Sequence, residues 1–140
     1  MRLALEAVPH GVKPNLAELS EVLRLPEGPE GILQGVRRLR EMGIGLVALS
    51  LGADGAVLSS PQGTVLVRPP KVTPITTVGA GDAMVAAMAL GIHSSMELWE
   101  TARLACAFSL CAITRIEEPR VEPSAVRDFM DKIRISEVEG

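Results

Sequence analysis

The stretch Thr76-Thr77-Val78-Gly79-Ala80-Gly81-Asp82-Ala83-Met84-Val85-Ala86-Ala87 decides how the chain is read. Gly79 and Gly81 open backbone angles closed to other residues, so successive N–H groups can turn into one concavity. Residues 83–90 then read as a helix that stops at Gly91. The concavity opens onto the positive end of that helix, where free amides and the dipole favour an anion. Asp82 has a plain reading there, as an N-cap, and a chemical one, as a carboxylate beside whatever the amides hold.

Upstream of the turn, residues 45–51 (Gly-Leu-Val-Ala-Leu-Ser-Leu) show no alternation, the pattern of a parallel strand covered on both faces. Gly52-Ala53-Asp54-Gly55 turns into a second strand over 56–59. Pro61-Gln62-Gly63 turns into a third over 64–68, which Pro69-Pro70 ends, and residues 72–76 read as short and extended. Nearer the start, residues 1–7 read as the end of a helix without an N-cap, as if cut within an element. Residues 11–15 are extended because the residue before Pro14 is pushed toward β. Asn15 caps a helix over 16–23, with Glu18 placed for a capping box. After the break at Pro26, Gly28 and Pro29, Ile32, Leu33, Val36, Leu39 and Met42 recur at helical spacing up to Gly43, a C′ glycine.

Downstream, Ser94 or Ser95 is expected to cap a longer helix running to about Ile116. Between Leu104 and Ile113 it is apolar on every side, so it should be deeply buried. Pro119 and Pro123 precede a final helix near 124–130, and residues 132–136 suit an edge strand. Strands alternating with helices predict one α/β domain over 1–140, layered around a largely parallel central sheet.

Composition bounds the function. A net charge of -3 over 140 residues argues against a nucleic-acid partner held on a broad basic face. Trp99, Phe108 and Phe129 are the only aromatic side chains, too few for a base-stacking platform. Two cysteines make no disulfide framework, no signal peptide is evident, and the longest apolar run is about half a membrane span. These point to a soluble, cytoplasmic protein with neither a nucleic-acid nor a membrane partner.

The Gly-Ala-Gly-Asp turn, with small residues at Ala83, Ala86 and Ala87 and Thr76-Thr77 before it, resembles the second signature of the PfkB or ribokinase-like carbohydrate kinases. Three further segments resemble that family in order. Val12-Lys13-Pro14-Asn15-Leu16-Ala17-Glu18 is similar to its Lys-Pro-Asn strand end and Asn-x-x-Glu motif. Leu49-Ser50-Leu51-Gly52-Ala53-Asp54-Gly55-Ala56 is similar to its phosphate-lining strand and turn. Residues 102–114 are similar to the buried helix beside the adenine pocket. Pro70-Lys71-Val72 and the residues after Gly81 favour the 1-phosphofructokinase or tagatose-6-phosphate kinase branch. Thr76 stands where many members have Asp, and Ala87 where Gly is common.

The resemblance implies a ribokinase-like α/β/α layering of which this chain is the C-terminal part, the N-terminal sugar-binding part and lid having no counterpart here. It implies ATP and Mg²⁺ as cofactors and a small sugar or sugar phosphate as acceptor. Asp82 would be the catalytic base and Gly79, Ala80 and Gly81 the anion hole. Ser50, Gly52, Ala53, Asp54, Gly55, Gly81 and Ser109 would meet the nucleotide. Asn15 and Glu18 would meet the metal through water or phosphate. Open alternatives are a nucleotide-binding remnant without activity, one half of a split kinase, and a homo-oligomer.

Other candidates have plainer readings. His10 and His93 lie far apart beside glycines, and Cys106 and Cys111 point apart on one helix as small buried hydrophobes. Arg37, Arg38 and Arg40 read as a solvated helix face, with one of them able to reach a phosphate across an interface as the alternative, and Lys13 as a strand end reaching solvent, with a functional role as its alternative. No Gly-Lys pair exists for a P-loop, and Met84 stands where a dinucleotide fingerprint needs its third glycine.

Overall fold

The computed structural model describes residues 2–115 and 121–139. Among these residues five strands, β1 (Gly11–Val12), β2 (Leu46–Ser50), β3 (Ala56–Ser60), β4 (Gly63–Arg68) and β5 (Arg134–Glu137), form one sheet in the order β1-β2-β3-β4-β5. Among the described residues six helices flank it: α1 (Arg2–Glu6), α2 (Leu16–Leu23), α3 (Pro29–Glu41), α4 (Ala80–His93), α5 (Leu98–Ile113) and α6 (Pro123–Met130).

Side-chain alternation splits the sheet between two cores. Leu46 and Ala48 of β2, Ala56 and Leu58 of β3, and Val65 and Val67 of β4 pack with α4, α5 and α6. Val47, Leu49 and Val57 point the other way, onto Leu5, Leu19, Val36, Leu39 and Ile44 from the side of α1, α2 and α3. Fully burying a side chain such as Leu19 or Leu39 contributes about 1.5–3 kcal/mol. The α/β/α layering predicted from the sequence is the observed architecture.

The expectation of a largely parallel sheet is corrected. β1 and β2 run parallel, but β2–β3, β3–β4 and β4–β5 are antiparallel. For the first two of these pairs the reason lies in the turns: a 3₁₀ turn at Gly52–Asp54 joins β2 to β3, and Pro61-Gln62 joins β3 to β4. Connections that short permit only hairpins, because a parallel return needs a crossover of a dozen or more residues.

Helix boundaries differ at α4 and α5. α4 begins at Ala80 with Gly79 as N-cap in the left-handed region (φ 85°), so Asp82 sits within the first turn and is not the N-cap. It also runs through Gly91. A β-carbon there would lie 2.6 Å from Thr101, so this glycine lets α4 and α5 approach and ends nothing. Ser94 closes α4, and α5 starts from Glu97, neither Ser94 nor Ser95 serving as its cap. Gln62 on the β3–β4 hairpin does that work: its Oε1 accepts from Leu98 N at 2.6 Å and its Nε2 donates to Glu97 Oε2 at 2.6 Å. α5 is buried along most of its length, as its apolar run predicts, and ends at Ile113. Ile116 and Pro119 lie outside the described residues, and 72–76 form no strand.

Candidate functional site

β1 and β2 point the same way, and the sequence motifs gather where these two strands end. In α/β sheets that is where ligands settle, because the loops leaving parallel strands open there and helix N-termini face them.

β1 runs into Lys13-Pro14-Asn15. Ser50 N donates to the Pro14 carbonyl at 3.1 Å, and Asn15 pairs with Ser50 in a parallel bridge. The Ser50 hydroxyl lies 3.4 Å from the same carbonyl. Asn15 and Glu18 form a complete capping box at the start of α2. Glu18 N donates to Asn15 Oδ1 at 2.8 Å, and Asn15 N donates to Glu18 Oε2 at 2.9 Å. Both residues are exposed. With one carboxylate oxygen engaged and no cluster of three acidic, His or Cys groups among the described residues, this pair fits a hydrated cation held through water or phosphate. It does not make a cage.

Across from it, the Gly79-Ala80-Gly81-Asp82 turn opens α4. The N–H groups of its first turn have no intrahelical acceptor, and among the described residues no side chain caps them. Asp82 is exposed. Two contacts fix the turn. Ser109 on α5 donates its hydroxyl to the Ala80 carbonyl at 2.8 Å. Lys13 comes over from β1, and a β-carbon on Gly81 would stand 3.2 Å from its Nζ. The approach is held from behind: Ile75 N donates to Ile113 O at 2.7 Å, and Val78 N donates to Thr76 Oγ1 at 3.1 Å.

The third motif is divided. Gly52 (φ 62°), Ala53 and Asp54 lie exposed just past Ser50, and among the described residues nothing stands within 4 Å of a β-carbon at Gly52. Gly55 is buried, and its α-carbon faces the Val67 carbonyl, which a β-carbon would meet at 1.9 Å. The amides of Asp54 and Gly55 are spent closing the turn onto Leu51 O and Gly52 O.

Contacts therefore chain the motifs together: Gly52–Asp54 follows Ser50, Ser50 meets Asn15, and Lys13 meets Gly81. Sequence reasoning left Lys13 between a functional role and a strand end reaching solvent, and the structure turns it onto Gly81. Its only signal was its place in Lys13-Pro14-Asn15, at the end of a strand whose neighbour in space is 68 residues onward, Gly81. An anion seated on the first turn of α4 would meet unpaired amides and an ammonium group together. A carboxylate on the same turn could take a proton from a hydroxyl brought to that anion.

Comparison with known proteins bears on this arrangement. The family profile described as "pfkB family carbohydrate kinase" matches residues 1–119. The chain is 50% identical over 115 residues to a 1-phosphofructokinase of Rhodobacter capsulatus, covering 81% of this chain and 36% of that protein. It is 37% identical over 134 residues to a 1-phosphofructokinase of Xanthomonas campestris pv. campestris, covering 94% of this chain and 42% of that protein. The solved phosphofructokinase-2 of Escherichia coli in complex with fructose-6-phosphate superposes with a TM-score of 0.77 at 27% identity, over 91% of this chain and 43% of that one. The chain thus spans about two-fifths of the length of the relatives it matches. Among the described residues no helix is long and apolar enough to cross a membrane.

Proposed function

The chain belongs to the pfkB family of carbohydrate kinases, and on that premise we propose that it supplies the nucleotide site, anion hole and catalytic base for ATP-dependent phosphoryl transfer to a hydroxyl of a sugar phosphate. The acceptor we propose is of the fructose 1-phosphate or tagatose 6-phosphate type, in line with the 1-phosphofructokinase relatives. One observation carries the reading: the uncapped amides and the Asp82 carboxylate share the first turn of α4, and the Lys13 ammonium packs beside its Gly81.

In this mechanism the γ-phosphoryl group rests on the N–H groups of Ala80, Gly81 and Asp82. Each well-placed donor stabilises the charge developing in the transition state by on the order of 3 kcal/mol. Lys13 adds a positive charge beside Gly81, and Ser109 keeps the Ala80 peptide from swinging. Asp82 accepts the proton of the sugar hydroxyl as that oxygen attacks in line. Ser50, Gly52, Ala53 and Asp54 border the polyphosphate. Gly55 acts from inside the turn, keeping β4 close. Mg²⁺, when bound, neutralises charge between the phosphates, and Asn15 and Glu18 would hold it through water or phosphate. A cytoplasmic location goes with this chemistry.

A second reading keeps the anion site, the uncapped first turn of α4 beside Lys13, without the chemistry. On that reading it binds nucleotide as an inactive remnant or as one half of a split kinase. Calorimetry with a non-hydrolysable ATP analogue, together with ADP release measured with and without fructose 1-phosphate, separates the two. Sugar-dependent ADP release is expected for the kinase. Binding without release assigns the module, and absence of binding removes both.

A further inference from the structure

The three arginines of α3 have different fates. Arg38 is turned aside and donates to the Leu23 carbonyl at 2.8 Å. Arg37 and Arg40, three residues apart on one face of the helix, border a cavity of about 210 Å³ between α3 and the β3–β4 hairpin. Ser60 and Thr64 border it from the hairpin, and Val36 and Val138 give it apolar walls. Among the described residues no carboxylate lines it. In a chain of net charge -3, two guanidinium groups thus share one hollow with no counter-charge in its lining.

Most of these donors are held in place by the fold. Arg40 is half-buried, and its Nη1 donates to the Ile44 carbonyl and, at 3.0 Å, to the Gly45 carbonyl. That fixes the guanidinium plane and leaves the hydrogens on Nε and Nη2 to give. Ser60 Oγ accepts from Gln62 N at 3.1 Å, so its own proton remains available. Ser59, 4% exposed, has one proton for two acceptors, the Gly63 carbonyl at 3.2 Å and Thr64 Oγ1 at 2.9 Å. When that proton goes to Thr64, the Thr64 proton is free for a guest. Arg37 is exposed and makes no hydrogen bond or ion pair among the described residues. The hairpin is pinned as well, by Gln62 on the start of α5 and by Val138 N, which donates to the Thr64 carbonyl at 2.9 Å.

We propose that this cavity is a second anion site, built for a phosphoryl group carried by a small molecule, either inorganic phosphate or the phosphomonoester of a short polyol. Guanidinium forks match phosphate oxygens, and donors converging from α3, β3 and β4 suit a tetrahedral group better than a planar carboxylate. The volume lies below the roughly 300–1,000 Å³ of sites that take drug-sized ligands, so the guest is small. The site is separate from the first turn of α4. Ser59 pairs with Val47 at one end of the β2–β3 ladder, while Ala56 pairs with Ser50 at the other, beside the Gly52–Asp54 turn. A phosphoryl group here meets none of the groups assigned to the transfer reaction. It ties α3 to the hairpin, and it is independent of the chemistry assigned to Asp82.

Backbone amide resonances of the full chain, followed by NMR, report the two places separately. The chain is titrated with inorganic phosphate and, in a second series, with glycerol 3-phosphate, ionic strength being held constant with sodium chloride. Saturable shifts are expected at Ser60, Gly63, Thr64 and the last turn of α3. Arg37→Gln should weaken that binding about tenfold or more, the worth of one charge-assisted contact, and Arg37→Lys should recover part of the loss. Arg37 is exposed, so both variants should keep the fold. Neither should change the response at Gly79–Asp82. Tighter binding of glycerol 3-phosphate than of phosphate assigns the site to an ester, and equal or weaker binding assigns it to the free ion. The proposal is overturned if the hairpin resonances stay still, if chloride alone moves them equally, or if Arg37→Gln leaves the affinity unchanged. Shifts at the α4 turn without shifts at the hairpin keep the anion site of the proposed function and remove this one; the reverse pattern keeps this one.

Discussion

The ammonium group of Lys13 rests against the α-carbon of Gly81: a β-carbon built there would stand 3.1 Å from its Cε and 3.2 Å from its Nζ. The contact joins the end of β1 to the first turn of α4 and sets a positive charge beside the uncapped amides. Gly81 is not in the left-handed region, so its lack of a side chain answers to the lysine and not to the backbone.

Gly81→Ala should therefore separate stability from anion binding. Alanine gains roughly 0.5–1 kcal/mol of helix preference over glycine, offset in part by the swing of a flexible lysine. Urea unfolding should show stability unchanged or slightly raised. Affinity for an ATP analogue should fall by about tenfold, the size of one displaced charge-assisted contact of about 1.5 kcal/mol. Unchanged affinity would remove Lys13 from the anion site.

Ser109→Ala tests the clamp from α5. The lost bond is the 2.8 Å donation to the Ala80 carbonyl, and that carbonyl keeps its place in the helical ladder. The cost should be about 1 kcal/mol, read as a lower urea midpoint at unchanged slope. Nucleotide affinity should weaken with it, through a loosened turn. If stability drops while affinity holds, Ser109 is a packing residue alone.

How much of this was legible depended on whether the signal was local. Asn15 and Glu18 lie three residues apart, and the capping box could be read from them directly. The glycine turn was legible for the same reason, since Gly79 needs its φ of 85° whatever lies around it. The start of α5 was not legible, because its cap comes from Gln62, 36 residues before Leu98, on a different hairpin. Gly91 looks like a helix stop and is a helix contact, a difference made by Thr101 alone. The unbroken apolar run of β2 gave burial on both faces correctly. It did not give strand direction, which the short turns at 52–55 and 61–63 decide.

Gly52 and Gly55 share one turn and both have positive φ, yet their substitutions should differ. At Gly52 (φ 62°) a β-carbon meets nothing within 4 Å among the described residues, so Gly52→Ala pays only the left-handed penalty of about 1–2 kcal/mol. At Gly55 (φ 103°) the β-carbon would fall 1.9 Å from the Val67 carbonyl, and β4 must move. Gly55→Ala should cost more than 3 kcal/mol by our order-of-magnitude reckoning or prevent folding, since backbone strain and a backbone clash add. Equal losses in thermal melts would mean that the β3–β4 hairpin is free to shift away from the turn.

Burial pushes the Cys106 thiol up from 9.0 to about 12. The unfolded chain ionises this group near pH 9, while the folded chain keeps the proton until about pH 12. Between those values the folded state binds the extra proton, so stability is full below pH 9 and falls as pH rises through the window. Burial raises Cys111 as well, against the opposing charge of Arg115, and adds to the same slope. Unfolding free energies measured across that window should fall less steeply in Cys106→Ala than in the parent. Parallel slopes would mean the thiol is no more shielded in the folded chain than in the unfolded one.

Asp82→Asn bears on the chemistry most directly. The exchange keeps side-chain shape, leaves the amides of the α4 first turn untouched and removes the one group there able to take a proton. An ATP analogue should bind within a few-fold of the parent, because on the proposed reading backbone amides and Lys13 hold the polyphosphate. Turnover must be read in a full-length setting, with the matching residue of the Rhodobacter capsulatus relative exchanged in parallel. It should fall by roughly 10²–10⁴, the usual worth of a positioned general base. A fall confined to KM would mean that the carboxylate orients the sugar, and turnover within about tenfold of the parent would leave the proton to another acceptor. The two outcomes differ in kind: orientation is lost from substrate binding, whereas proton removal is lost only from the transition state, which binding measurements do not sense.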